Sequence, residues 1–163
     1  MIWKKPIYRF RIPIDENSDK LKEIVLDVTG SAPPFEDVKD TMKGVFDKFL
    51  SSSEGKKVNN IIDFGAAKLR NTLYFLEKGK KVAVVEFEEL GKNSKQAQRI
   101  HSQCKTKKEL FEQWMFPYPF ISHKKVYDMA LLINVIPVMP VFAERLMVLQ
   151  VLHQKIKSEG YVL

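Results

Sequence analysis

From residue 58 onward the chain alternates between short apolar runs and stretches with helical spacing. Val58 to Asp63 and Val82 to Phe87 read as buried strands. Between them Leu69, Leu73 and Leu76 mark the apolar side of a helix over 68–78, which Gly79 stops. A polar helical stretch around 94–104 comes next, then a second over 107–115, where Leu110, Phe111 and Trp114 share a face. The place of a third strand falls on Phe116-Pro-Tyr-Pro-Phe-Ile-Ser122, whose two prolines confine it to an edge or an irregular strand. Val126 to Ile136 is the most hydrophobic strand. Val141 to Ser158 reads as a long amphipathic helix ended by Gly160, and Tyr161-Val-Leu163 begins a further strand. Apolar strands alternating with helices predict an α/β fold with a mainly parallel sheet covered on both faces.

The first 57 residues follow another pattern. Ile7, Arg9, Phe10, Arg11, Ile12 and Ile14 alternate loosely, as in a short extended arm. Leu21, Ile24, Val25 and Val28 fall at helical spacing, with Gly30 as a stop, and Ala32-Pro-Pro-Phe35 is a break. Val38, Met42, Val45, Phe46 and Phe49 then mark a second helix, with Glu36, Asp37 and Asp40 near its positive end. Residues 51–57 read as a flexible connector. The expected organisation is an arm and two helices over 1–57, too short to stand alone, followed by the main unit over 58–163.

Composition narrows the class. The 163 residues suffice for one domain with a real core, and a single cysteine, Cys104, rules out an internal disulfide framework or a cysteine-rich zinc site. His101, His123 and His153 share no ligand spacing, so no metal site is expected. The run Met129 to Ala143 is interrupted by Asn134, Pro137 and Pro140 and is too short to cross a bilayer. The first residues lack the apolar core of a signal peptide, which points to a soluble, cytoplasmic protein without a membrane partner. Of the net charge of +7, +6 falls between Lys92 and Lys125, where eight basic residues face two acids. Such a region is either a solvated face or a surface for nucleic acid.

Candidate chemistry gathers where the first predicted strand turns into its helix. Ligands of open parallel sheets bind beyond the carboxyl ends of the strands. Gly65-Ala66-Ala67 is a small-residue turn at such an end, where backbone can approach a ligand. Glu86 ends the second strand, 23 residues after Asp63, and an acid there can accept both hydrogen bonds of a ribose diol. Asn134, near the end of the most hydrophobic strand, can donate and accept. Each has a plainer alternative: Asp63 as a cap for the following helix, Gly65 as a turn glycine, Asn134 as a partner for buried backbone. Asp128, at the other end of its strand, reads as structural. Asp63-Phe-Gly65 lacks the rest of a kinase site, and Gly65-Ala-Ala-Lys68 lacks the Gly-Lys-Ser/Thr of a P-loop.

Ile61-Ile-Asp-Phe-Gly-Ala-Ala67 together with Val84-Val-Glu-Phe87 resembles motif I and the acidic second-strand end of class I S-adenosylmethionine-dependent methyltransferases. Tyr127 to Pro137 resembles their fourth-strand segment, and Phe142 to Leu163 the helix and fifth strand after it, so the resemblance spans about 58–163. It implies a Rossmann-like three-layer sandwich and S-adenosylmethionine as cofactor. By that resemblance Gly65, Ala66 and Ala67 hold the methionine part. Asp63 orders the loop, Glu86 takes the ribose hydroxyls, Phe87 packs on the adenine, and Asn134 stands at the mouth. The methyl acceptor is not specified. The chain departs from the family at Ala67, where glycine is usual, and in lacking the acid after the third strand. It ends before the family's last two strands, so a further domain or partner is expected to complete the sheet. These departures keep open a degenerate, non-catalytic fold that serves as a binding or regulatory partner. A nicotinamide-dependent oxidoreductase ranks below both, because Gly65 alone survives of a Gly-x-Gly-x-x-Gly turn.

Overall fold

The computed structural model describes residues 7–15, 19–27, 40–87 and 95–163. The expected stop at Gly30, the break over 32–35 and Lys92 of the basic region lie outside the described residues. Two strands, β1 (Ile7–Pro13) and β2 (Leu21–Asp27), pair antiparallel. Helices α1 (Asp40–Ser51) and α2 (Ser53–Lys57) lead into β3 (Asn60–Phe64), α3 (Arg70–Glu77), β4 (Lys81–Glu86), α4 (Lys95–Thr106) and β5 (Phe111–Met115). After these come β6 (Tyr127–Leu131), a 3-10 turn (Ile136–Val138), α5 (Phe142–Lys155) and β7 (Ile156–Val162). The five later strands form one parallel sheet in the order β5-β4-β3-β6-β7.

The sheet is buried on both sides because its central strands carry apolar residues at consecutive positions. Along β3 and β4, Ile61, Val82 and Val84 enter one core with Phe46 of α1, Phe75 and Leu76 of α3, and Ile100 and Cys104 of α4. Ile62, Phe64, Ala83 and Val85 enter the other core with Phe116, Phe120 and Val148, Val151 and Leu152 of α5. Burying an aliphatic side chain of this size stabilises by about 1.5–3 kcal/mol, so the paired central strands anchor the fold. Helix α1 belongs to this core. The Phe46 ring lies 4.8 Å from that of Phe75 and the Phe49 ring 5.3 Å from that of Tyr161, while the Tyr74 hydroxyl donates to Asp47 at 2.5 Å. The amino-terminal strand pair is joined to α5 by a hydrogen bond from the Tyr8 hydroxyl to Glu144.

Four expectations are corrected. The helix expected over 21–28 is strand β2 over its described residues 21–27, because Ile24 and Val25 are β-branched and pair with Phe10 and Arg9 across β1. The helix over 107–115 is a turn followed by β5, whose residues register against Val82 to Glu86 of β4. The prolines of 116–122 therefore lie in turns after the third strand of the sheet rather than inside it. The connector over 51–57 holds the short helix α2, capped by the Ser52 hydroxyl, which accepts from the Gly55 N–H at 3.0 Å.

Gly160 is also not a helix stop. Helix α5 ends at Lys155 and β7 runs through Gly160. Tyr127 pairs with Ile156 but Met129 pairs with Tyr161, so β7 bulges between these points. A Cβ on Gly160 would stand 2.8 Å from the Asp128 carbonyl oxygen and 2.3 Å from an Ile156 methyl. Gly160→Ala is expected to destabilise the protein by about 2 kcal/mol through overpacking against backbone. Urea unfolding measures this, and an unchanged midpoint would refute the close approach.

Candidate functional site

The strand order turns at β3 and β6. The chain leaves β3 towards β4 and β5 on one side, and leaves β6 towards β7 on the other. The loops after β3 and β6 therefore diverge at the carboxyl ends of two neighbouring strands, the switch point at which open α/β sheets bind ligands. Both loops are made of unusual backbone. Gly65 has φ +68°, and three non-glycine residues are left-handed: Ala67 at 47° and Leu69 at 62° after β3, and Asn134 at 60° after β6. Left-handed residues without glycine's freedom cost of order 1 kcal/mol each and persist where the surroundings over-determine them.

The surroundings here are specific hydrogen bonds. The Gly65 N–H donates to the Val85 carbonyl at 2.9 Å, tying the turn to β4. Leu69 N–H donates to the Ala66 carbonyl at 2.8 Å. Glu86, at the end of β4, accepts the Ala67 N–H on Oε1 at 2.5 Å. The turn residues and the acid singled out in the sequence thus meet. Val135, in the loop after β6, closes over the turn, since a Cβ on Gly65 would lie 2.8 Å from its side chain. Phe87 is half-buried in an aromatic group, its ring 5.2 Å from Phe116 and 6.2 Å from Phe64. Asn134 is exposed and lies three residues past the end of β6, on the loop rather than on the strand.

Asp63 is placed differently from its neighbours. It is 2% exposed, and its Oδ2 accepts from the Thr72 hydroxyl at 2.6 Å and its carboxylate from the Thr72 backbone N–H. Thr72 lies in the first turn of α3, whose N-cap residue is Leu69, with no side-chain cap of its own. Asp63 therefore supplies from β3 the capping oxygen that Leu69 lacks, and its charge faces the positive end of α3. Thr72 carries no motif; only its position one turn into α3 marks it. At the opposite end of the sheet Asp128 accepts the N–H groups of Asn59 and Asn60, each at 2.8 Å, and pairs with Lys157 at 2.6 Å, so it binds β6 to its neighbours.

Cys104 is buried beneath the sheet, and burial, with the Asp63 charge adding to it, pushes its thiol up to about 12. A thiol held protonated is no nucleophile at neutral pH. Among the described residues no group of three or more His, Cys, Asp or Glu side chains is disposed to hold a metal ion. None of the described helices is long and apolar enough to cross a membrane.

Fold and site together define a parallel α/β protein with a Rossmann-like sheet and a ligand-type switch point. No protein-family model and no curated protein matches the chain.

Burial drives the Asp63 carboxyl up to about 6 from 3.8, against the Thr72 hydrogen bonds and the Arg70 charge. An acid raised by folding holds its proton more tightly folded than unfolded, so its contribution falls as pH rises between these values. The loss is about 2 kcal/mol between pH 4 and pH 6.5. Urea titrations at the two pH values should show wild type losing that much relative to Asp63→Asn. A constant difference between the two proteins would remove the proposed titration.

Proposed function

We infer that the chain is a methyltransferase-type domain that binds S-adenosylmethionine at the switch point and transfers its methyl group to a separate acceptor. The observation that carries this reading is the meeting of Glu86 with the Gly65–Ala67 turn through the Ala67 N–H. A ribose-binding acid and a small-residue turn must lie side by side if one cofactor is to touch both. The strand order β5-β4-β3-β6-β7 supports it, since it sets both at the carboxyl edge of the sheet. Backbone groups of Gly65, Ala66 and Ala67 would face the methionine part and Glu86 the ribose diol. Phe87 would flank the adenine with the aromatic group behind it. Asn134, exposed on the loop after β6, would line the mouth. Asp63 would act at one remove, holding α3 and the turn through Thr72. The cofactor would supply the activated methyl group. The protein's share is orientation of the acceptor in line with it and exclusion of water.

A second reading has its own support. Asp63 is already engaged by Thr72, Glu86 already accepts the Ala67 N–H, and the Val135 side chain stands over Gly65. A turn closed by its own side chains suits a fold that has kept its architecture and serves as a binding partner.

Calorimetric titration separates the readings. S-adenosylmethionine and S-adenosylhomocysteine are expected to bind, and NAD is not. Replacing Glu86 with Ala should weaken both by at least about tenfold, the loss of a charged hydrogen-bond acceptor. Absence of heat with either sulfur compound favours the non-catalytic reading.

A further inference from the structure

A pattern spread along the chain becomes a surface only in the fold. Four strands of the parallel sheet are each entered through a pair of lysines. Lys56-Lys57 precedes β3, Lys80-Lys81 stands at the start of β4, Lys107-Lys108 precedes β5, and Lys124-Lys125 precedes β6. Because these strands are parallel neighbours in the order β5-β4-β3-β6, the four pairs enter along one edge, and Lys125 reaches back from the entry of β6 to Glu112 of β5. Three strand spacings, from β5 to β6, make that edge about 15 Å long. It lies at the amino-terminal ends of the strands, about 17 Å from the Gly65 turn, the length of a five-residue strand.

Helix ends account for part of this row. Helices α2, α3 and α4 end at this edge, and a cation in the last turn of a helix is favoured by up to about 1 kcal/mol. That explains Lys56 and Lys57, which both lie in the last turn of α2, whereas the last turn of α3 holds no basic residue and that of α4 holds Lys105. It does not explain Lys80-Lys81 or Lys107-Lys108, nor Lys124-Lys125, which follow the irregular segment 116–123 and no helix. The charge is also unspent. Lys56, Lys81, Lys108 and Lys124, one from each pair, are exposed and have no ion-pair partner among the described residues. Lys125 pairs with Glu112 at 2.6 Å with both side chains about half exposed, a bond that solvent weakens to a fraction of a kcal/mol. A cavity of about 300 Å³ opens between the second and fourth pairs, its polar lining Lys81, Lys125, Asn60 and Tyr127 together with Glu112, which Lys125 neutralises.

We propose that the amino-terminal edge of the parallel sheet is a docking surface for the phosphodiester backbone of a nucleic acid. A band of point charges along one edge fits a linear polyanion. Lysines, unlike arginines, bring no bidentate geometry, so the contact is with phosphate and independent of sequence. A membrane surface fits less well, because of the residues directly following the pairs only Val126 is both apolar and exposed. The basic region expected at 92–125 is thereby redrawn. Its lysines at 107–108 and 124–125 join others at 56–57 and 80–81, while Lys95 starts α4 at the far end of that helix. The proposal does not rest on the methyltransferase reading and needs no cofactor.

The test is fluorescence anisotropy of the full chain with short labelled single-stranded DNA, single-stranded RNA and duplex DNA. Four phosphate contacts should weaken single-strand binding roughly 50-fold between 50 and 200 mM salt. Changing Lys56, Lys81, Lys108 and Lys124 together to Gln should lower affinity at least about tenfold and flatten the salt slope. A control of equal charge change, Lys22, Lys43, Lys48 and Lys95 to Gln, should bind like wild type. Circular dichroism melting establishes that both variants are folded. The proposal is overturned by salt-independent or absent binding to all three probes, or by equal losses in the two variants. It is equally overturned if vesicles of phosphatidylserine are bound with the same lysine dependence and the nucleic acids are not.

Discussion

The carboxylate of Asp63 reaches from the central strand into the first turn of α3, where Thr72 gives it both a hydroxyl and a backbone N–H. The carboxyl edge of the sheet is organised by that bond. Leu69 stands at the N-cap in a left-handed conformation and has no oxygen to offer the helix. With the cap supplied from β3, residues 65–69 are free to fold as a tight turn with three left-handed residues. The Gly65 bond to Val85 and the Ala67 bond to Glu86 then fix that turn against β4. A buried carboxylate is costly unless it is hydrogen-bonded, so the contact also selects the register of α3 against the sheet.

The two edges of the sheet are built for different chemistry. At the carboxyl edge, small residues, backbone groups and the two acids Asp63 and Glu86 meet beside an aromatic group of Phe64, Phe87 and Phe116. The amino edge is dominated by lysine, with Asp128 held among backbone N–H groups and Lys157. Parallel strands produce this polarity by necessity: all five begin at one edge and end at the other. Any residue type that recurs just before a strand therefore accumulates along a line, and any that recurs just after a strand surrounds the switch point.

Much of the fold was legible in the sequence because parallel strands buried on both faces leave continuous apolar runs. Val58 to Asp63, Val82 to Phe87 and the start of the segment after Val126 carried that signal. Two of the failures share one cause, apolar spacing that imitates a helix. Strand β2 has apolar residues on both faces, with Leu21 and Val25 on one and Ile24 and Leu26 on the other, so its spacing imitates a helix. In β5, Phe111 and Trp114 stand three apart as on a helix, and only the ladder to β4 makes the segment extended. At Gly160 the glycine looked like a helix end, but its small size serves the approach of β7 to the Asp128 carbonyl.

The sequence by itself determined the alternation of strands and helices over β3-α3-β4-α4 and β6-α5-β7, the small-residue turn at Gly65 and the acid at Glu86, because these depend on local periodicity and residue size. Only the tertiary structure decided that Asp63 belongs to Thr72, that Glu86 lies against the Ala67 N–H, that Asn134 sits on a loop, and that four separated lysine pairs share one edge. Each of those is a contact or an alignment between strands distant in sequence. Such pairings are set by burial of both sheet faces and by strand order, neither of which any single segment encodes.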